Sequence, residues 1–379
     1  MNIKNLVSIF TVLSISYAFN GQSSAVAKGN ALTAQQQLGK RIFFDASLSE
    51  PAGQSCASCH NSNAGFALMQ KKNLLPVSAG AIRHRFGNRN TPTVSYSAFV
   101  PALQYDKKEQ MYVGGLFLDG RENSLESQAK GPLFNPVEMA IKNEKQLTQK
   151  LKNAGYITEF RKVFGDKAMQ DSSKTLEQVT ASLAAYQRSV ELSPFTSKYD
   201  AYLNGQIQLS AQEQRGLEIF NAEDKGNCAA CHISETDKDK DDKSGVPPLF
   251  TDFTYDNLGV PANKKNPFYS QPLKFNPYGK NYVDLGLGGI VKDAKQNGKF
   301  RVPTLRNIAL TAPYMHNGVF ETLNEVVDFY NTRDVKDWPK PEVDENVNKD
   351  ELGDLKLTEQ EVDDLVVFMK TLTDGYKVK

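Results

Sequence analysis

Cysteine, histidine and tryptophan are all scarce in this chain: four, four and one in 379 residues. The four cysteines fall as two pairs, Cys56-Ala-Ser-Cys59 and Cys228-Ala-Ala-Cys231. A histidine follows each pair at once, His60 and His232. If one chemistry consumes both pairs, no thiol remains for a disulfide, and only His84 and His316 are left as further imidazoles. Charge of one sign is missing too. A net charge of +1 gives no bulk attraction to nucleic acid or to an anionic membrane surface. Beyond the N-terminal stretch, no segment is apolar enough to span a bilayer, so stable membrane insertion is not expected.

What is present is the Cys-x-x-Cys-His pattern, twice. Its chemistry is covalent attachment of haem c: the thiols add to the haem vinyl groups and the adjacent His becomes the proximal iron ligand. The alternatives are a thioredoxin-like redox pair and a structural zinc site, which usually wants another Cys/His spacing. The N-terminus favours haem. Lys4, an apolar stretch from Leu6 to Phe19 and an Ala25-Val26-Ala27 cleavage pattern read as a signal peptide over residues 1–27, against an uncleaved anchor. Haem c is attached outside the cytoplasm, so signal and motif agree on the periplasm.

The chain also repeats itself. Leu32 to Phe43 and Leu209 to Phe220 match at seven of twelve positions, 177 residues apart, and the haem motifs lie 172 apart. Two similar modules are implied, 28–193 and 194–379. Each opens with a helix capped by Thr33 with Gln36, or Ser210 with Glu213. Each closes with an amphipathic helix, one carrying Leu176, Val179, Leu183, Tyr186 and Val190, the other Val362, Leu365, Val366, Met369 and Leu372 after a capping box at Thr358 and Glu361. The expected fold is mainly α: two cytochrome c-like domains, each with one haem. Between the helices the chain is rich in Gly, Pro and Asn. The charged run at 235–243 reads as a solvated loop.

The open question at each iron is the face opposite the proximal His. Were His84 and His316 both ligands, the protein would be a bis-His electron carrier. A vacant face on one iron would instead bind and activate a small oxidant.

Longer motifs bear on this choice. Phe117-Leu-Asp-Gly-Arg121, Ser124-Leu-Glu-Ser-Gln-Ala-Lys-Gly-Pro132 and Asn135-Pro-Val-Glu-Met139 resemble the bacterial dihaem cytochrome c peroxidases and their MauG-like relatives. So do Arg89-Asn-Thr-Pro-Thr93, Phe300-Arg-Val-Pro-Thr-Leu-Arg-Asn307, Thr311-Ala-Pro-Tyr-Met-His-Asn-Gly318 and Thr322-Leu-Asn-Glu-Val-Val327. The resemblance spans essentially the whole mature chain. It implies a cytochrome-c peroxidase-type oxidoreductase that reduces hydrogen peroxide at the haem on His60. Gln128, Pro132 and Glu138 would serve its distal face, with Glu138 moving the proton during O–O cleavage. The haem on His232 would be six-coordinate. Fourteen residues after His316, where the classical peroxidases carry a ligating Met, stands Tyr330, as in the MauG-like branch. A phenolate favours higher oxidation states, so this haem would supply or store the second oxidising equivalent. One calcium ion is implied between the haems, held by Asn90, Thr311 and Pro313. Met315 is out of register for a ligand, and His84 stands about two residues from the position of the distal His of classical members.

Two departures matter. Leu118 occupies the place of an inter-haem Trp, leaving ordered water or a Tyr such as Tyr112 as routes. Gly226 occupies the place of the surface Trp through which the MauG-like branch oxidises a protein substrate; the chain's one Trp is Trp338. The expected reductant is therefore a small periplasmic cytochrome c or cupredoxin, with oxidation of aromatic residues on a partner protein as the alternative and a non-catalytic dihaem carrier as the rival from another class.

Overall fold

The computed structural model describes residues 31–69, 75–235 and 245–378; the signal-peptide reading and nearly all of the charged run lie outside them. The described chain is mainly helical. In chain order the helices are α1 (Ala34–Phe44), α2 (Cys56–Cys59), α3 (Leu125–Phe134), α4 (Glu144–Asn153), α5 (Ile157–Phe164), α6 (Ser172–Gln187), α7 (Lys198–Leu203), α8 (Ala211–Asn221), α9 (Leu287–Val291), α10 (Leu323–Thr332) and α11 (Glu359–Lys370). Strands β1 (Gln104–Asp106) and β2 (Met111–Val113) form one antiparallel ribbon, and β3 (Tyr255–Asp256) and β4 (Phe300–Arg301) another. No helix among the described residues is long and apolar enough to cross a membrane.

The repeated segment folds the same way twice. Thr33 and Gln36 close a reciprocal capping box on α1, and Ser210 and Glu213 close one on α8. Each of these helices crosses a later one, α1 on α6 and α8 on α11. The crossings rest on equivalent glycines. A Cβ on Gly39 would stand 1.8 Å from the Ser182 carbonyl oxygen, and one on Gly216 would stand 2.1 Å from that of Asp364. Backbone cannot swing aside as a side chain can. Gly39→Ala should therefore lose stability on balance. The helix-propensity gain is about 1 kcal/mol and the overpacking cost about 3 kcal/mol, a net loss of roughly 2 kcal/mol. A lowered urea midpoint with unchanged slope would show it; an unchanged midpoint would mean the helices separate freely.

Around these crossings lie two main hydrophobic clusters. One runs from Leu38 to Leu192 and includes Leu176, Val179, Leu183 and Tyr186 of α6. The other runs from Tyr199 to Leu372 and includes Leu365, Val366 and Met369 of α11. Two expected helical positions fall outside: α6 ends at Gln187, before Val190, and α11 ends at Lys370, before Leu372. The Arg188 amide makes the last i→i−4 bond of the first, to the Ala184 carbonyl, and the next amide, Ser189, turns to the Tyr186 carbonyl instead, where the helical ladder stops.

Buried charge joins the two halves. Arg89 donates two parallel hydrogen bonds to Asp284, at 2.6 and 2.7 Å, and a third to Asp119 at 2.6 Å. This bidentate pair depresses Asp284 to about 2 in spite of its burial. Asp374 near the C-terminus accepts from the Tyr96 hydroxyl at 2.8 Å and from the Asn307 amide at 2.8 Å. Leu118 accepts from the Arg301 amide at 2.9 Å, which ties the first half to β4.

Candidate active site

Both Cys-x-x-Cys-His segments form tight turns. The first is α2 and the second a single 3₁₀ turn at Cys228–Ala230. In each, the histidine amide bonds back to the carbonyl of the first cysteine, at 2.8 Å for His60 and 2.8 Å for His232. The imidazoles are then fixed by a bond that the sequence did not disclose. His60 Nδ1 lies 3.2 Å from the Phe66 carbonyl and His232 Nδ1 lies 2.8 Å from that of Phe250. A carbonyl can only accept, so Nδ1 carries the proton and Nε2 presents its lone pair. Burial pushes both imidazoles down to about 4, which keeps them neutral and ready to ligate a metal. Phe66 and Phe250 both adopt positive φ, 57° and 54°, which aims the two carbonyls alike. Two phenylalanines among 21 carry no sequence signal for this role.

The donor chemistry fits haem. Burial pushes the Cys56 and Cys228 thiols up to about 12, so they are held un-ionised. Among the described residues no group of three His, Cys, Asp or Glu side chains is placed to hold a metal. A cavity of about 290 Å³ is lined by Cys228, Cys231, His232 and Tyr330, and reaches Leu118, Asn90 and Thr93 of the first half. Two buried polar atoms along it lack partners: Arg301 Nε and Asn90 Oδ1. A buried guanidinium with an unpaired nitrogen suits an acidic group such as a haem propionate. The unpartnered Asn90 oxygen is a hard donor that suits a calcium-like cation, its own amide nitrogen is on the Pro313 carbonyl, and Thr311 lines the same cavity.

Glu138 faces the first haem motif: its charge acts on both Cys56 and Cys59. Burial raises its carboxyl above the usual range, opposed by a 2.8 Å hydrogen bond from Asn135 Nδ2 and by the Arg121 charge. The loop bearing it is clamped. Ala81 donates to the Glu138 carbonyl at 2.7 Å, and Gly80 packs so closely that a Cβ there would stand 2.2 Å from the Val137 oxygen. Gln128 and Pro132 share one face of α3, four residues apart. Pro132 lacks the N–H that would bond the Gln128 carbonyl, yet its own carbonyl accepts from Met139 at 3.1 Å and so fixes the turn into Glu138. The Gln128 side chain makes no hydrogen bond among the described residues.

Tyr330 lies on α10 across the cavity from the second motif, and both cysteines act on its phenol. Burial holds that phenol far above its ordinary value, so ionisation would need a cation at the oxygen. Met315 and His316 line the same cavity. His316 does not point at a cysteine motif as a free ligand would: it stacks on Phe300, centroids 3.8 Å apart at 11°, with Nε2 3.4 Å from Glu342. His84 is exposed, and its carbonyl accepts from Gln271 at 3.0 Å. Tyr112 pairs with Tyr105 on the β1–β2 ribbon, rings 4.9 Å apart, and does not line the cavity. A side chain at Gly226 would meet the Ile219 carbonyl at 2.6 Å, so a Trp cannot stand there on this backbone. Trp338 instead packs against Phe320 and Phe329 and donates to Thr332.

Known proteins share this arrangement. Residues 33–208 match the family described as di-haem cytochrome c peroxidase. The methylamine utilization protein MauG of Paracoccus denitrificans is 37% identical over 356 residues, covering 89% of this chain and 88% of that protein. The cytochrome-c peroxidase IdrP1 of a Pseudomonas species is 31% identical over 369 residues, covering 92% and 83%. Among solved structures, the diheme peroxidase BthA of Burkholderia thailandensis superposes with a TM-score of 0.78 at 33% identity, covering 91% of this chain and 87% of that one. Motifs, geometry and relatives together place the chain in the dihaem cytochrome c peroxidase and MauG family, whose two haem c groups make it a peroxidase-type oxidoreductase.

Proposed function

We propose that this chain is a periplasmic dihaem peroxidase with division of labour between its halves, 28–193 carrying the peroxidatic haem and 194–379 the electron-transfer haem. The observation that carries the reading is the placement of Glu138: a clamped carboxyl with raised proton affinity, close enough to the Cys56/Cys59 motif to act on both thiols. A haem on His60 supplies the iron at which hydrogen peroxide is reduced. Glu138 would take a proton from one peroxide oxygen and return it to the departing one. Asn135 holds the carboxylate in place, and the unpaired Gln128 amide is available to hydrogen-bond the oxidant. Pro132 restricts the distal space.

His232 and Tyr330, which line one cavity, would hold the second haem, and Asn90, Thr311 and Pro313 the calcium. The reductant is a small periplasmic cytochrome c or cupredoxin. Oxidation of a partner protein's aromatic residues is the second reading, favoured by Tyr330 and by the MauG relative, although its surface-Trp route is closed at Gly226. The test is optical and magnetic spectroscopy of the ferric protein before and after peroxide. A high-spin and a low-spin haem, both responding to peroxide, support the peroxidase. Two low-spin bis-His haems inert to peroxide refute it. Tyr330→Phe should change the low-spin signals and spare the high-spin ones; an unaltered spectrum would reject Tyr330 as ligand.

A further inference from the structure

The route by which oxidising equivalents leave the haem region is open, because Leu118 and Gly226 stand where tryptophans are expected. The structure offers another path. Phe300 lines the cavity that holds the second haem motif and stacks on His316. His316 Nε2 lies 3.4 Å from Glu342 Oε2, and Glu342 Oε1 accepts from the Tyr269 hydroxyl at 3.3 Å. Glu342 and His316 are nearly buried, with side chains 6% and 7% exposed. Beyond Tyr269, the Tyr282 ring lies 6.3 Å away, and the 3₁₀ turn that leads into Tyr282 begins at Tyr278, which is 69% exposed. Each step from the cavity to Tyr269 is a ring stack or a hydrogen bond, and Tyr269 and Tyr282 are both half-buried.

We propose that Tyr269 is a redox-active relay residue, oxidised through the Phe300–His316–Glu342 chain and reduced again from the surface. The inference rests on the peroxidase reading above, with hydrogen peroxide as the oxidant. In each one-electron step, Tyr269 loses an electron toward the cavity and its hydroxyl proton to the Glu342 carboxylate, leaving a neutral phenoxyl radical. A one-electron donor at the surface restores the electron and Glu342 returns the proton. Two such cycles supply the two electrons that, with two protons, convert one peroxide to two waters. Glu342 is well placed to hold that proton, because it also accepts from the Asp284 amide at 3.1 Å and its carboxylate is therefore fixed rather than free to rotate. Burial and the Glu342 charge hold the Tyr269 phenol well above its ordinary value, so electron loss must carry the proton with it.

Freeze-quench electron paramagnetic resonance of the holoprotein mixed with hydrogen peroxide, without added donor, tests the relay beside parallel absorption stopped-flow. Wild type should give a neutral tyrosyl signal as the peroxide-induced haem absorption change decays. Tyr269→Phe, which removes only the hydroxyl, should abolish that signal and lengthen the decay several-fold, with the resting haem spectra unchanged. Glu342→Gln retains the phenol but offers a poor proton acceptor, so the signal should fall several-fold. A signal of wild-type size in Tyr269→Phe overturns the relay. If the haem absorption never responds to peroxide, the peroxidase reading itself fails and takes the relay with it; a response with no tyrosyl signal defeats the relay alone.

Discussion

Glu138→Gln slows the reaction with hydrogen peroxide by about 10²–10⁴-fold, the range for loss of a positioned acid–base group. The reason is geometric. Asn135 Nδ2 holds one carboxylate oxygen at 2.8 Å, and a glutamine can keep that bond through its amide oxygen. The surrounding clamp of Ala81 on the Glu138 carbonyl is made by backbone and survives the substitution. What the amide cannot do is take a proton and give it back. Stopped-flow mixing with peroxide reads the effect directly, and resting spectra like wild type show that both haem sites remain intact. A wild-type rate in the variant would remove Glu138 from the proposed chemistry.

Arg306→Leu costs about 3–5 kcal/mol of stability, because it strands a buried carboxylate. Arg306 is fully buried. It donates to both oxygens of Asp200, at 3.0 and 2.9 Å, and through Nε to the Pro248 carbonyl at 2.7 Å. Its guanidinium also lies 5.0 Å from the Tyr96 ring centroid and 4.5 Å from that of Phe195. In the wild type, burial opposes the Asp200 charge, but the Arg306 bonds and the Ser197 hydroxyl and amide together hold its pKa below the ordinary 3.8. A depressed carboxylate contributes stability that is complete above the unfolded value and is lost as pH falls through the folded one. Without Arg306 the sign reverses. Burial then raises Asp200, the charged form is penalised, and the deficit should be largest near neutral pH and shrink as pH falls toward the carboxylate range. Urea midpoints at several pH values check this. Replacing both partners, Arg306→Leu with Asp200→Leu, should recover part of the loss, since no charge is then stranded.

The tyrosine relay and the closed Gly226 position bear on the same question, namely which molecules this protein oxidises. A backbone that rejects a side chain at 226 and a hydrogen-bonded tyrosine at 269 move the exit for oxidising equivalents to another face.

The sequence by itself determined whatever is written in neighbouring residues. The two attachment motifs are covalent chemistry within five positions. The capping boxes at Thr33, Ser210 and Thr358 close over three residues, and all three form. The repeat and its capping boxes foretold a helix opening each half, but only the folded chain shows that Gly39 and Gly216 in those helices face a later helix. Helix ends were less legible: nothing local distinguished Val190 from the periodic positions before it. The tertiary structure alone decided how each group is tuned. The Phe66 and Phe250 carbonyls select the histidine tautomers, and the loop at Gly80, more than fifty residues before Glu138, supplies part of the burial that raises its carboxyl. Tyr269 carries no signal in the sequence and His316 stands out there only as a spare imidazole; the fold brings Glu342 between them. Burial, hydrogen bonding through space and charge coupling depend on which surfaces meet, and residues far apart in the chain meet only when the cores that carry them have packed.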